Sequence, residues 1–318
     1  MLPDNALKKT LKDPSEALPY IKNNLMPFDD LERLGWRGFP CWGSKMAHRY
    51  LVSSPKSTSA WEREWDLLIV LDACRRDWMI EVENEYEFIS SVDDIWSVGS
   101  HSTEWVEQTF SDTSANMLSR TSYITANHYS KKAPKESFAY FDDLSVMEFN
   151  KQFASVPAHI VTDRAIKAGR ELDIDHQIVH YMQPHKPFFE KQSGRYDVTV
   201  KDWSIGFKLY KNYFSDKISK DKMWGGFVNN LRYVLDEVSI LLKNIDAEKV
   251  AITADHGNSL GERFLWDHHP RIQHPTMRRV PWVETSASDE KTLTPRDYSN
   301  SNVNNSEINR RLKVLGYQ

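Results

Sequence analysis

The chain alternates between short, continuously apolar runs and longer segments in which apolar residues recur with helical spacing. The longest helical pattern, FVNNLRYVLDEVSILLKNI at 227–245, places its apolar side chains on one face, and AHIVTDRAIKAGREL at 158–172 has the same spacing. Apolar runs with polar ends are typical of buried parallel strands, and they occur at 66–74 (DLLIVLDAC), 122–129, 176–182, 249–255 and 278–285. Strands that alternate with helices predict βαβ units, and therefore an α/β fold with a mainly parallel central sheet and helices on both faces.

The two ends of the chain lack this alternation. Residues 1–60 are polar and rich in proline and lysine, and we expect an irregular segment that wraps the core as part of the same unit, with short helices at 15–25 and 28–36. Residues 61–318 are expected to form a single domain, with a polar loop at 286–306 and a short closing helix at 307–317.

Composition narrows the class of protein. Hydrophobic residues make up 40% of the 318 residues and charged residues 27%, which suits a globular core, and the net charge of -4 argues against nucleic-acid binding through bulk charge. The two cysteines, Cys41 and Cys74, cannot form a disulfide framework. No signal-peptide pattern and no apolar run of about 18 residues is visible. We therefore expect a soluble, cytoplasmic protein without a membrane span.

Polar side chains stand where the predicted strands end. Asp72 ends the run at 66–74, Asp255 and His256 end the run at 249–255, and His185 follows the run at 176–182. In an open α/β sheet, ligands collect at the carboxyl ends of the strands. Carboxylate and imidazole ligands suit zinc, manganese or a similar divalent ion, although strand-end carboxylates can also be purely structural.

A hydroxyl could complete this set of ligands. The stretch SVGSHSTEW at 97–105 resembles a turn followed by a helix start, at which Ser102, Thr103 and Glu104 have capping character. A metal-bound hydroxyl at a helix N-terminus becomes a nucleophile, and the neighbouring N–H groups favour an anion. Ser102 is the preferred candidate, Ser100 and Thr103 are its neighbours, and simple capping is the alternative role.

Four segments, in this order along the chain, resemble the alkaline phosphatase/sulfatase superfamily, especially its compact sulfatase-like members. LLIVLDACRRD is similar to the family's first strand, which ends in a metal-ligand Asp followed by an Arg-x-Asp element. HYMQPHKPF is similar to the PHxPF segment, ITADHGNSLGE to the DHGExxGE segment, and HPRIQHPTMRRVPW to the region where a Gly-His pair precedes a strand that begins with Val-Pro. The resemblance covers residues 66–285 and implies the three-layer alkaline phosphatase-like fold.

The resemblance also implies roles for individual residues. Asp72, Asp255 and His256 would hold the metal, and Ser102 would be both a metal ligand and the nucleophile that forms a covalent intermediate. His185 and His269 would face the transferred group or complete a second metal site. His268 is the alternative to His269, because it stands where the family has the glycine before its histidine.

Departures from the family pattern refine these expectations. Neither Cys41 nor Cys74 begins the C-x-P-x-R type motif that sulfatases mature to formylglycine, Asp72 is followed by Ala73 rather than by a second acid, and the late pair is Asp–His rather than Asp–Asn. These differences favour a phosphate ester over a sulfate ester. They also favour zinc or manganese over calcium, which stays possible.

The sequence therefore predicts a metal-dependent hydrolase or transferase of phosphate or sulfate esters, acting through Ser102 on a small-molecule or glycan substrate. One alternative is a transferase that moves a phosphorylated head group onto a glycan or lipid, since only the acceptor would differ. Another is a catalytically inactive relative that binds a glycan or a partner.

Overall fold

A seven-stranded sheet forms the centre of the molecule. The computed structural model describes residues 28–53, 55–111, 113–146 and 155–298. The strands in chain order are β1 (Leu67–Leu71), β2 (Asp93–Trp96), β3 (Thr121–Thr125), β4 (Tyr140–Asp143), β5 (His176–Tyr181), β6 (Phe189–Ser193), β7 (Asp197–Val200), β8 (Ala247–Thr253), β9 (Ser259–Leu260), β10 (Trp266–Asp267) and β11 (Arg279–Ala287).

The sheet is mainly parallel, as the sequence predicts. Its strand order is β2-β11-β8-β1-β5-β3-β4, and β8, β1, β5, β3 and β4 run parallel. β11 is antiparallel to both β8 and β2. Leu67 of β1 pairs with Val250 on one side and Gln177 on the other, so the carboxyl ends of β8, β1 and β5 lie side by side. β6 pairs with β7, and β9 with β10, in separate antiparallel ribbons.

Helices surround this sheet, and their bounds are α1 (Phe28–Leu34), α2 (Gly38–Tyr50), α3 (Arg76–Val82), α4 (Ser102–Ser111), α5 (Ala115–Leu118), α6 (Ala158–Glu171), α7 (Lys208–Phe214), α8 (Lys220–Leu242) and α9 (Pro275–Arg278). The predicted strands and the predicted helices at 28–36, 158–172 and 227–245 are confirmed within a few residues. α8 begins earlier than predicted because the Ser219 hydroxyl caps it by accepting from Lys222 N at 3.1 Å. The helices expected at 15–25 and 307–317 lie outside the described residues.

The core is continuous from the sheet to the helices. β1 is buried along its whole length, as expected for a central parallel strand. Trp78 of α3 is fully buried and stacks on Phe227 of α8 with 4.6 Å between ring centroids. Removal of such a buried aromatic side chain costs about 3–5 kcal/mol, so this pair fixes α8 against the segment that follows β1. Within the described residues, no helix combines the length and the hydropathy needed to cross a bilayer.

One arginine joins two helices through buried carboxylates. Arg195 lies in the turn between β6 and β7, with 2.6 Å from its Nη1 to Asp163 Oδ1 of α6 and 2.6 Å from its Nη2 to Glu237 Oε2 of α8. Both carboxylate side chains are fully buried. Burial raises the pKa of Glu237, and Arg195 opposes that increase. The guanidinium therefore compensates the charge of both buried carboxylates.

We expect Arg195→Met to destabilise the protein by about 3–5 kcal/mol, because two buried carboxylates lose their cation. The matched control is Arg232→Met, which removes the partly exposed ion pair with Glu85 and should cost no more than about 1 kcal/mol. Urea unfolding at neutral pH measures both values. Equal losses in the two variants would contradict the structural role of Arg195.

Candidate metal centre

Two carboxylates and an imidazole meet at the carboxyl ends of β1 and β8. Asp72 follows β1, and Asp255 and His256 follow β8, so the parallel pairing of these strands brings the three side chains together. Asp255 Oδ1 accepts hydrogen bonds from Ala73 N at 3.0 Å and His256 N at 2.8 Å. Ala73 has a φ of 61°, which turns the chain after Asp72 so that its N–H reaches Asp255. The two strand ends are thereby joined through one carboxylate.

The tautomer of His256 follows from its hydrogen bond. His256 Nδ1 donates to the Gly257 carbonyl at 2.8 Å, which leaves a lone pair on Nε2. Nε2 lies 3.1 Å from Ser102 Oγ, 3.4 Å from Asp255 Oδ2 and 3.8 Å from Asp72 Oδ1. Burial lowers the pKa of His256 to about 4, although Asp255 opposes that shift. The imidazole is therefore neutral near pH 7, as a metal ligand must be.

The donor set fits a divalent ion. Ligand atoms of Asp72, Asp255 and His256 lie within 4.8 Å of one another, and all three residues are fully inaccessible to solvent. Asp255 Oδ2 accepts no hydrogen bond within the described part of the chain. Burial raises the pKa of Asp255, and any positive charge on the neighbouring His256 lowers it. Two buried carboxylates that are both ionised would need a cation, and an ion with oxygen and imidazole ligands would satisfy both.

Of the candidate hydroxyls, Ser102 is the one directed at this centre. It begins α4, it is fully buried, and its Oγ contacts His256 Nε2. Ser100 Oγ instead donates to the His269 carbonyl at 2.8 Å and accepts from Ile272 N at 2.9 Å, so its role is to fix the loop. A side chain at Gly99 would lie 2.6 Å from Trp105 N, and this tight approach seats the start of α4 beside the sheet.

A second group of potential ligands lies next to the first. Ligand atoms of His185, Asp267 and His268 lie within 4.8 Å of one another, and all three residues are buried. The rings of His268 and His256 are 4.5 Å apart, and those of His268 and His185 5.1 Å apart. Burial and the Lys186 charge hold the pKa of His185 well below its ordinary value. Lys186 Nζ lies 3.0 Å from both oxygens of Asp267.

The structure brings His268, and not the predicted His269, to this centre. His268 Nδ1 lies 3.1 Å from Asp267 Oδ1 and 3.2 Å from Asn258 Oδ1. His269 turns the other way, with its Nε2 3.0 Å from the Trp266 carbonyl, and it groups with Asp30 and Cys41 of α1 and α2. Adjacent residues of an extended segment point to opposite sides, so only one of the two can face the metal ligands.

Three supporting residues were missed by the sequence analysis. Asn127 Nδ2 donates to Asp72 Oδ2 at 2.9 Å. His180 Nε2 lies 3.7 Å from Asp255 Oδ2, and its Nδ1 lies 3.0 Å from the Tyr123 hydroxyl. A polar residue inside the apolar run HQIVHYM was the available signal for His180.

The third missed residue, Asn230, lies on the buried face of α8 and holds the loop that carries His185. Its Nδ2 lies 3.0 Å from the carbonyls of both Pro184 and His185, and its Oδ1 accepts from Phe189 N at 2.9 Å. An amide in an otherwise apolar helical stripe was the signal. The groups that Asn230 contacts can be identified only from the three-dimensional structure.

Comparison with known proteins identifies the architecture. No protein-family model and no curated protein sequence matches the chain. Among solved structures, the integral membrane protein lipooligosaccharide phosphoethanolamine transferase A from Neisseria meningitidis has a TM-score of 0.51 and 13% sequence identity. That match covers 92% of this chain and 62% of the transferase. This match shows the fold alone, which is an alkaline phosphatase-like three-layer fold.

Two further solved structures are similar to this chain at lower scores. The soluble domain of lipooligosaccharide phosphoethanolamine transferase A from Neisseria meningitidis has a TM-score of 0.48 and 15% identity, over 71% of this chain and 77% of that domain. A 2-O GAG sulfatase has a TM-score of 0.44 and 12% identity, over 74% of this chain and 66% of the sulfatase.

Acid should destabilise the metal-free protein. Burial lowers the pKa of His159, His256 and His274 from 6.5 to about 4. The unfolded chain therefore binds protons that the folded chain does not, and stability is lost as pH falls from about 6.5 towards about 4. The expected slope of the unfolding free energy against pH is about 1.4 kcal/mol per pH unit for each of His159 and His256. It is smaller for His274, because solvent screens this partly exposed ring. Urea unfolding in chelator, from pH 8 to pH 4.5, measures it.

The variant His159→Phe separates one contribution from the others. His159 packs edge-on against Tyr196 with 5.2 Å between ring centroids, so an aromatic replacement keeps that contact. In this variant, the slope of the unfolding free energy against pH should decrease by up to about 1.4 kcal/mol per pH unit. An unchanged slope would show that His159 titrates alike in the folded and unfolded chain.

Proposed function

We propose that the protein is a metal-dependent enzyme that transfers or hydrolyses phosphate or sulfate esters through Ser102. One observation carries the proposal: Ser102 Oγ lies 3.1 Å from the lone-pair nitrogen of His256, beside two buried carboxylates. A structural role for the carboxylates would require that the fold itself supply their cation. Asp255 Oδ2 instead faces two imidazoles, His256 and His180, at 3.4 and 3.7 Å.

Each residue of the centre would have a defined part in the reaction. Asp72, Asp255 and His256 would hold a divalent ion, zinc or manganese in preference to calcium, and such an ion lowers the pKa of a hydroxyl and stabilises developing negative charge. Ser102 Oγ would attack phosphorus or sulfur in line with the ester oxygen that leaves. A covalent ester of Ser102 forms as the bond to the leaving group breaks. Water or another hydroxyl then attacks this ester and restores Ser102.

His185 and His268 would act beside the metal ligands. They are buried, they lie beside His256, and their rings contact each other. Asp267 holds His268 through Nδ1 at 3.1 Å, and the imidazole of His268 would contact the transferred group or handle the proton of the leaving group.

The charges beside the centre favour transfer of a phosphorylated head group as the second candidate function. Lys186 is paired with Asp267, and Arg75 with Asp77 and Glu262, so neither contributes an unbalanced positive charge. A phosphodiester or sulfate ester carries one negative charge, whereas a phosphomonoester carries close to two near neutral pH. The less charged ester therefore suits this centre better. A phosphodiester that leaves its phosphorylated head group on Ser102, with a glycan or lipid hydroxyl as acceptor, satisfies this condition.

Metal content and ester turnover test the proposal together. The wild type, purified without chelator, should contain about one or two equivalents of zinc or manganese, and Asp255→Ala should lose most of the metal because a charged ligand is removed. Ser102→Ala should keep the metal and lose roughly a thousandfold in kcat on whichever aryl phosphate, phosphodiester or sulfate ester is turned over. The control is Asp236→Ala, which removes a partly exposed carboxylate of α8.

A wild type that cannot be loaded with any divalent ion would overturn the proposal and leave the fold with a binding role. Full activity in Ser102→Ala, with metal retained, would instead exclude Ser102 as the nucleophile.

The two adjacent histidines should behave differently. His268→Ala should lower kcat by about a hundredfold, as expected when a group that handles the proton of the leaving group is lost. His269→Ala should leave kcat within a few fold, because its ring faces α1 and α2. Steady-state kinetics with the best ester decides between them. The reverse order of losses would assign the role to His269.

A further inference from the structure

Exposed hydrophobic side chains are concentrated in two segments of the chain that contact each other. Among the described residues, seven large hydrophobic side chains are exposed, and five of them belong to residues 36–52 and the 263–264 turn. The exposed fractions are 72% for Trp36, 56% for Phe39, 83% for Leu51 and 63% for Phe264. We call residues 36–52 and 263–264 the docking face. A contiguous exposed apolar surface commonly marks a site of interaction.

A groove runs through the docking face. It has a volume of about 810 Å³ and lies between α2 and the segment 263–275. Its walls are mostly small or apolar and include Pro40, Gly43, Ala47, Val52, Phe264 and Pro275. Pro40, Gly43 and Ala47 recur at helical spacing along α2, and Val52 lies just beyond its end, so α2 lines the groove with small and apolar residues.

Phe264 is exposed in a turn whose backbone conformation is strained. Arg263 and Phe264 have φ values of 51° and 63°, and two consecutive non-glycine residues in the left-handed region are unfavourable. The turn is fixed by hydrogen bonds from Gly261 N to the Leu265 carbonyl at 2.8 Å and from Phe264 N to the Gly261 carbonyl at 3.1 Å. A strained turn that exposes a phenylalanine is consistent with a function for that side chain.

The positive charge of the docking face indicates which class of partner it binds. Arg37, Arg49 and Arg263 form no ion pair with a carboxylate in the described part of the chain. The Arg37 guanidinium lies 5.0 Å from the ring centroids of Trp36 and of Phe214. Glu32 is an exposed carboxylate nearby, whereas Asp30 is buried and paired with Lys45. Apolar and aromatic side chains among cations match an anionic, partly apolar surface.

We propose that the docking face binds the surface of an anionic phospholipid bilayer. Aromatic side chains partition into the headgroup region, aliphatic ones enter the acyl boundary, and arginines attract anionic lipids. A second copy of this chain would place the same cations against each other, which disfavours self-association through this face. The inference is independent of the proposed function, since it concerns a surface that contains none of the candidate catalytic residues.

The docking face is nevertheless connected to the candidate metal centre. Arg49 Nε of α2 donates to the Pro270 carbonyl at 3.2 Å, and the Gln273 carbonyl lies 2.9 Å from His48 Nδ1. These carbonyls belong to the segment that carries His268. A bilayer bound at this face would therefore lie next to the segment that completes the centre.

Vesicle flotation of the full chain tests the inference. The wild type should float with phosphatidylcholine vesicles that contain phosphatidylglycerol, should bind pure phosphatidylcholine vesicles far less, and should lose affinity as salt rises. The triple variant Trp36→Ser, Phe39→Ser, Phe264→Ser should lower the partition coefficient at least about tenfold because the apolar contact is lost. The matched control, Ile80→Ser with Met117→Ser, removes the two exposed hydrophobic side chains outside the face and should bind as the wild type does.

Neutralisation of the cations gives a second test. Arg37→Gln and Arg263→Gln should each weaken binding to anionic vesicles about fivefold, the equivalent of about 1 kcal/mol per charge. Lys243→Gln, which neutralises an exposed lysine directly after α8, is the control. Circular dichroism establishes that each variant is folded.

Three results would overturn the inference. The first is a wild type that does not bind anionic vesicles. The second is equal binding by the face variants and their controls. The third is a dimer, detected by light scattering without vesicles and absent in the triple variant, which would assign the face to self-association.

Discussion

Two carboxylates buried at the ends of neighbouring parallel strands are the constraint on which this structure depends. Asp72 and Asp255 are fully inaccessible to solvent, and burial by itself raises the pKa of Asp255. Burial of ionised groups costs several kcal/mol each unless a cation compensates them. The imidazole of His256 is neutral near pH 7 and supplies no full charge. The sheet therefore holds charge that a divalent ion would balance, and the candidate chemistry follows from that balance.

Much of this arrangement could be predicted because it depends on strand order more than on detail. An apolar run that stops at a carboxylate predicts a polar strand end, and a parallel sheet brings all such ends to one edge. Asp72, Asp255 and His256 meet for this reason. Ser102 was predictable as the start of a helix, since its capping character and its distance from the strands can be read locally. In the structure, the Ser102 hydroxyl contacts His256 Nε2. The Ser100 hydroxyl instead donates to the His269 carbonyl and fixes the loop.

The remaining features depend on relations that a linear pattern does not contain. His268 and His269 are chemically equivalent in the sequence, and only the path of the segment after β10 decides which ring faces the centre. Asn230 appears as a polar residue in an apolar helix, and its role depends on the carbonyls of a loop that precedes it by more than forty residues. α2 contains Gly38, Pro40 and Gly43, whose helix propensities are poor. A proline in the first turn is tolerated, and packing against the segment 262–264 stabilises what the local sequence does not predict.

The segment 266–274 lies between the candidate metal centre and the docking face. On one side His268 contacts His256 and His185, and on the other His269 groups with Asp30 and Cys41 beneath the docking face. Lys45 neutralises Asp30 at 2.6 Å, and burial raises the pKa of Cys41 to about 11, so this inner cluster is a neutral, packed support for α1 and α2. Since a rigid support transmits position, α2 and the metal ligands are held in a fixed relation.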